Sequence, residues 1–176
     1  MEQQNSSYTY RYPHPAVTTD CVVFGFDGVH LNVLLVERGN EPHKGSWAFP
    51  GGFLNIDEDA PDGARRELLE ETGMQVTHME QLGAFTRPDR DPRERVISIA
   101  YFALVRVGDV AAGDDAACAR WFPINRLPEL AFDHQEIFER ALKRMSHFLK
   151  LKTGDFVSAE FSYEEIDTIY YLTLTQ

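Results

Sequence analysis

Cysteine is scarce in this 176-residue chain: only Cys21 and Cys118 occur, each in a run of apolar or small residues. Two such residues build no disulfide framework, and they read as buried thiols in a reducing compartment. Basic residues are also few, with 17 Lys and Arg against 28 Asp and Glu and a formal net charge of −11. That balance disfavours a nucleic-acid surface, because a phosphate backbone demands an excess of Lys and Arg. It leaves room for a small phosphate-bearing substrate if divalent cations stand between acids and phosphates. Long apolar runs are absent. None reaches the roughly 18 residues of a membrane span, and Met1–Ser7 has neither a basic start nor an apolar stretch of a leader. The expectation is a cytoplasmic protein with no membrane partner.

What is present is an ordinary soluble composition, 43% hydrophobic and 26% charged. It is enough to bury the core of one domain of about 150 residues. The division expected is a polar, Tyr- and Pro-rich arm over 1–16, a domain over 17–150 and a C-terminal extension over 151–176. Strands are predicted at Val17–Phe26, Leu31–Val36, Trp47–Phe49, Val76–Thr86, Arg95–Val105 and Arg120–Phe122. Asp27-Gly28 turns the first hairpin. Phe53–Asp59 and Val107–Ala117 read as loops. A helix is predicted from Pro61 to Thr72, stopped by Gly73, with an irregular first turn because of Gly63. Asp133 is read as the cap of a second helix running to Lys150, with Ile137, Phe138, Ala141, Leu142 and Met145 on one face. Ser162 and Glu165 form a capping-box pattern for a short last helix over Ile166–Leu174.

The informative helix carries Arg66, Glu67, Glu70 and Glu71. Three- and four-residue spacings put its three carboxylates on one face, where they repel one another by a few tenths of a kcal/mol per pair. A compensating cation is implied. Hard carboxylate oxygens suit Mg²⁺ or Mn²⁺, and no His or Cys on this stretch suggests zinc. Spacing alone does not distinguish this from a solvated acidic face.

The full 23-residue pattern does. Gly52, Glu58, Arg66, Glu67, Leu68, Glu70, Glu71, Gly73 and Met74 meet every fixed position of Gly-x5-Glu-x7-Arg-Glu-apolar-x-Glu-Glu-x-Gly-apolar. This resembles the Nudix box of the Nudix hydrolases, and the approach Lys44–Gly52 is similar to the strand that leads into the box there. The resemblance spans about Val17 to Lys150. It implies an α/β (α+β) Nudix fold, a mixed sheet sandwiched between helices with the box as a loop-helix-loop. It also implies a Mg²⁺-dependent hydrolase that cuts a diphosphate. Glu67, Glu70 and Glu71 are the implied metal ligands, joined by the Gly51 carbonyl. Arg66 orients the glutamates, and Glu58 braces the loop or reaches a second metal through water. Gly52 and Gly73 are read as tight turns. Glu67, Glu71 and Arg66 thus form the catalytic core. Divalent cations there neutralise the diphosphate and acidify a water that attacks phosphorus in line. Asp114 and Asp115 are candidates for the base outside the box, against the alternative of an ordinary turn.

Gly83–Tyr101, with its Arg-Asp-Pro-Arg core, resembles the ADP-ribose pyrophosphatase branch and the related ADP-ribose-sensing Nudix regulators. So do Gly113–Ala116, Arg120–Pro123 and Leu130–His134. Arg87 and Arg93 are candidate phosphate ligands and Trp47 a candidate base platform. The alternative for each Arg is an ion pair with Asp89, Asp91 or Glu94. His134 reads as a structural residue at a helix start. Three functions stay open: hydrolysis of ADP-ribose to AMP and ribose 5-phosphate, a domain sensing ADP-ribose or a sugar nucleotide for a regulator, and hydrolysis of an oxidised dNTP or dinucleoside polyphosphate. The regulators carry a winged helix after a segment resembling Phe156–Leu174, and no basic recognition helix is legible here. A homodimer is expected, with the arm of Tyr8, Tyr10 and Tyr12 crossing to the partner.

Overall fold

A computed structural model describes residues 9–110, 116–154 and 160–175. One seven-stranded mixed sheet forms the middle layer. Its long central strands are β1 (Ala16–Phe26) and β6 (Val96–Arg106), paired in parallel along their whole length from Ala16↔Val96 to Phe26↔Arg106. β5 (Glu80–Phe85) lies antiparallel on the outer edge of β6. On the other side, β2 (Leu31–Arg38) pairs with β1 only through Phe24–Phe26, and then the two strands part. Two short strands fill the fork. β3 (Trp47–Ala48) pairs with β2 at Val36 and Glu37, and β4 (Gly51–Phe53) pairs with β1 at Thr18–Asp20. β7 (Ala116–Pro123) closes the far edge of β2.

The strand period of two splits the core into two layers. Val22, Phe24 and Phe26 of β1 face α2 (His134–Leu151) and α3 (Tyr163–Leu174), where Ile137, Ala141, Met145, Ile166 and Ile169 are buried. Cys21 and Val23 face α1 (Ala60–Thr72) through Leu68. The result is a sheet sandwiched between helices. Burial pushes the Cys21 thiol up to about 12, so it stays protonated, with Asp20 nearby adding to the shift. Cys118 is only half-buried.

Several boundaries differ from the pattern reading. The segment 76–79 stays out of the sheet: pairing with β6 runs from Glu80↔Phe102 to Phe85↔Ser98, with an irregular register at Gln81/Gly83. β4 occupies residues read as the end of a strand and the start of a loop, so Gly52 lies in a strand and not in a turn. Gly73 does sit in the left-handed region, at φ 70°, and its amide closes α1 on the Leu69 carbonyl. The first turn of α1 is regular. A Cβ on Gly63 would lie 2.3 Å from Leu54 Cδ2, so this glycine admits the box loop against the helix. Asp133 stands at the N-cap position of α2 without making a side-chain cap hydrogen bond, because its carboxylate is engaged elsewhere. The capping box of α3 is present in full.

Candidate functional site

β4, the loop 54–59 and α1 are clipped together by Arg66. Its Nε and Nη2 donate to Glu58 Oε1 and Oε2 at 2.8 and 2.9 Å, and Nη2 also reaches the Phe53 carbonyl at 3.1 Å. Its Nη1 donates to Glu67 Oε1 at 2.7 Å and Glu70 Oε2 at 3.0 Å. The Arg66 guanidinium lowers the Glu58 carboxyl to about 2. Glu67 is pushed the other way, above the usual carboxylate range, because burial disfavours its charge more than Arg66 restores it.

The backbone at the fork completes the arrangement. The Gly51 amide donates to Glu71 Oε2 at 2.9 Å. A Cβ on Gly52 would meet the Glu67 carboxylate carbon at 2.5 Å, so bare backbone is what cradles that carboxylate. Sheet pairing therefore fixes where two of the three glutamates stand.

Among the described residues, no three His, Cys, Asp or Glu side chains already converge on one cation position. The donor chemistry nevertheless fits a divalent cation. Glu67 and Glu71 meet the Gly51–Gly52 backbone on the wall of a cavity of about 370 Å³. These are hard oxygens of the kind Mg²⁺ and Mn²⁺ take. Glu70 shares the helix face but lies outside the cavity lining, with its side chain 58% exposed.

Arg38, Arg93, Phe53 and Phe132 line the same cavity. Arg93 is paired with Asp91 through 3.0 and 2.8 Å bonds, which hold the Asp91 carboxyl below its usual range and raise the guanidinium. Arg38 donates through Nε to the Pro42 carbonyl at 2.9 Å. Burial, and then repulsion from Arg93, lowers its pKa. Buried polar residues, of which Asp20, Arg90 and His134 also line the cavity, adjoin them. Arg90 grips Asp133 through bonds of 2.9 and 2.7 Å, and its Nη2 is 3.8 Å from Asp20 Oδ2. Ser98 Oγ donates to Asp20. His134 Nδ1 accepts the Phe49 amide at 2.9 Å, with its ring stacked on Phe49 at 5.2 Å. Burial lowers the His134 pKa, in keeping with a neutral ring whose other nitrogen faces Asp20 at 3.6 Å.

Of the residues singled out from sequence, Arg66, Glu67, Glu71, Gly51 and Arg93 line this one cavity. Arg87 and Trp47 do not. Arg87 pairs with Asp89 at 3.3 Å and Glu136 at 3.5 Å, and Trp47 packs edge-on against Phe122 at 4.6 Å. Asp114 and Asp115, with Tyr8 of the arm, lie outside the described residues. The sequence reading missed Asp20, Arg38, Phe53, Arg90 and Phe132. Arg87, Arg90 and Arg93 recur at a spacing of three, and no local signal tells which of them is buried.

A protein-family model described as NUDIX domain matches residues 14–141. The ADP-ribose pyrophosphatase of Methanocaldococcus jannaschii is 43% identical over 128 residues, covering 73% of each chain. The ADPR responsive transcriptional repressor NtrR of Acinetobacter baylyi is 30% identical over 170 residues, 93% of this chain and 68% of that protein. Among solved structures, the NUDIX domain of Shewanella oneidensis NrtR complexed with ADP ribose superposes with a TM-score of 0.73 at 31% identity, over 76% of this chain and 90% of that one.

Proposed function

Because the chain belongs to the Nudix family, and is a pyrophosphohydrolase of that family, we propose that its substrate is ADP-ribose, which it splits with Mg²⁺ into AMP and ribose 5-phosphate. The observation that carries the reading is one cavity whose lining brings together carboxylates, bare backbone, guanidiniums and two aromatic rings. That pairing suits a diphosphate with an aromatic group at one end. The 43% identity to an ADP-ribose pyrophosphatase supports the choice of substrate.

Glu67 and Glu71 would hold Mg²⁺, or Mn²⁺, with Glu70 and the Gly51 carbonyl in reach of the same helix face. When bound, the cation supplies charge neutralisation at the diphosphate and acidifies water. Arg66 holds Glu67 at the cavity, bonds Glu70 outside its lining, and ties the loop to α1 through Glu58. Arg93, held by Asp91, and Arg38 line the same cavity beside Phe53 and Phe132. We read the protein as a cytoplasmic homodimer whose arm, with Tyr10 and Tyr12, reaches the partner. Among the described residues, no helix is long and apolar enough to cross a membrane.

The test is AMP release from ADP-ribose with Mg²⁺, for the wild type beside Glu71→Gln, with NADH, GDP-mannose and 8-oxo-dGTP as competitors. Turnover of ADP-ribose that vanishes in the variant is expected. A second reading, a sensor domain, draws on the match to NtrR along 93% of this chain. Tight ADP-ribose binding without turnover would support that reading and refute the first.

A further inference from the structure

Phe132 is a bulky residue in the left-handed region, at φ 53°. Side chains of this size avoid that conformation unless their surroundings impose it. Here both flanks impose it. The Ala131 amide donates to the Trp47 carbonyl at 2.8 Å, and the Ala131 carbonyl accepts the His134 amide at 3.1 Å. On the other side Asp133 is locked by Arg90. Ala131, Asp133 and His134 are all buried, while Phe132 between them is turned out into the cavity. A phenyl ring held out of an apolar core by a strained backbone points to use at that position.

Its neighbours are planar cations and rings. The Arg38 guanidinium carbon lies 4.7 Å from the Phe132 ring centre, and Arg93 lies 5.9 Å from it. Arg93 is also 5.5 Å from the ring of Phe53, which is 42% exposed, so one guanidinium already stands over both rings. Guanidinium planes and phenyl faces are what a nucleobase stacks on. With the diphosphate drawn to a cation at Glu67 and Glu71, the rings of Phe132 and Phe53 are left for the base.

We propose that Phe132 and Phe53, with the guanidiniums of Arg38 and Arg93, form the stacking subsite for the nucleobase. The assignment rests on the reading of the cavity as a nucleoside-diphosphate site. It makes the left-handed Phe132 a specificity element: the base is taken by its π face, and the ring's polar edge is left to solvent.

The test separates base from phosphate by calorimetry with AMP and with ribose 5-phosphate, each in the presence of Mg²⁺. Phe132→Leu keeps an apolar side chain but removes the π face. AMP binding is expected to weaken about tenfold, while ribose 5-phosphate binding changes less than about twofold. Phe53→Leu acts in the same direction from an exposed strand end, and it carries the test if circular dichroism shows Phe132→Leu unfolded. Equal losses for the two ligands, unchanged AMP affinity in both variants, or no AMP binding to the wild type each overturn the assignment. Because the readout is binding, the two readings fail separately. A protein that stacks AMP through Phe132 yet does not cleave ADP-ribose keeps the subsite and refutes the hydrolytic substrate. One that cleaves ADP-ribose with unchanged AMP affinity in both variants does the reverse.

Discussion

Replacing Asp133 by Ala tests the buried polar residues beside the cavity. Side-chain exposure is 4% at Arg90 and 2% at Asp133, and the pair makes two short hydrogen bonds of 2.9 and 2.7 Å. Removing one partner of such a pair strands the other charge away from water, at a cost of about 3–5 kcal/mol. Asp20, 3.8 Å from Arg90, remains as a weaker counter-charge, which places the expected loss near the low end, about 3 kcal/mol. For a domain of this size that lowers Tm by about 6–12 °C. Urea unfolding at neutral pH measures the loss directly, provided the m-value is unchanged. A helix-cap role for Asp133 predicts only about 1 kcal/mol, and Ser, an equally good cap, would then restore stability. The ion-pair account predicts that Asp133→Ser loses as much as Asp133→Ala. It also predicts that Arg90→Met with Asp133→Leu recovers part of the loss, because the stranded guanidinium is gone, while Asp20 loses its more distant partner and keeps the bond from Ser98. A Ser variant within about 0.5 kcal/mol of wild type would refute the reasoning.

Three further outcomes are expected. Gly52→Ala places a Cβ 2.5 Å from the Glu67 carboxylate carbon, so the carboxylate must move; steady-state turnover should fall about a hundredfold with little change in Tm, and retained turnover would show the cradle to be irrelevant. A chelator should abolish turnover, and Mg²⁺ or Mn²⁺ should restore it with the far-ultraviolet circular dichroism unchanged throughout; persistent turnover would refute the carboxylate site. His134 is held neutral in the folded state, with its pKa below the ordinary 6.5, whereas the unfolded chain takes up that proton near 6.5. The unfolded state then binds more protons, so stability is full above about 6.5 and falls as pH drops from there toward the folded pKa. Urea midpoints between pH 7.5 and 5.5 should fall more steeply for the wild type than for His134→Gln, and equal slopes would contradict a buried neutral ring.

The box was legible in sequence because its signal is local. Arg66, Glu67, Glu70, Glu71 and Gly73 obtain their positions from one helix and its stop, and helical spacing alone puts the acids on one face. The long strands β1 and β6 and the amphipathic α2 announced themselves in the same way. What stayed hidden depends on contacts across the chain. Arg90 is buried because Asp133, 43 residues later, folds against it. Phe132 faces the cavity because Trp47 and Arg90 pin its neighbours. β4 is three residues long and exists only because β1 and β2 part, which no pattern within Gly51–Phe53 foretells. Asp133 shows the same limit in reverse: a good cap residue at a helix start was drawn off by a buried guanidinium, which a charge-assisted pair outbids.

The same distinction explains why stability and chemistry meet at Arg66. Glu58, Glu67, Glu70 and Glu71 are four carboxylates on one loop and helix, and like charges at these spacings destabilise a bare helix. Arg66 answers with bonds to three of them and to the Phe53 carbonyl. Those bonds suffice to clip the loop onto α1, with Leu54 resting over Gly63. They do not balance the charge: four carboxylates against one guanidinium leave three negative charges when all are ionised. Glu67 registers the shortfall, since burial and its acidic neighbours raise its pKa despite the bond to Arg66. A second arginine would still leave two of those charges. A small divalent cation would leave one, in the space beside the Gly51–Gly52 backbone. The clip therefore accounts for the folded loop, and the negative charge it leaves over makes this face of α1 the one a divalent cation would take.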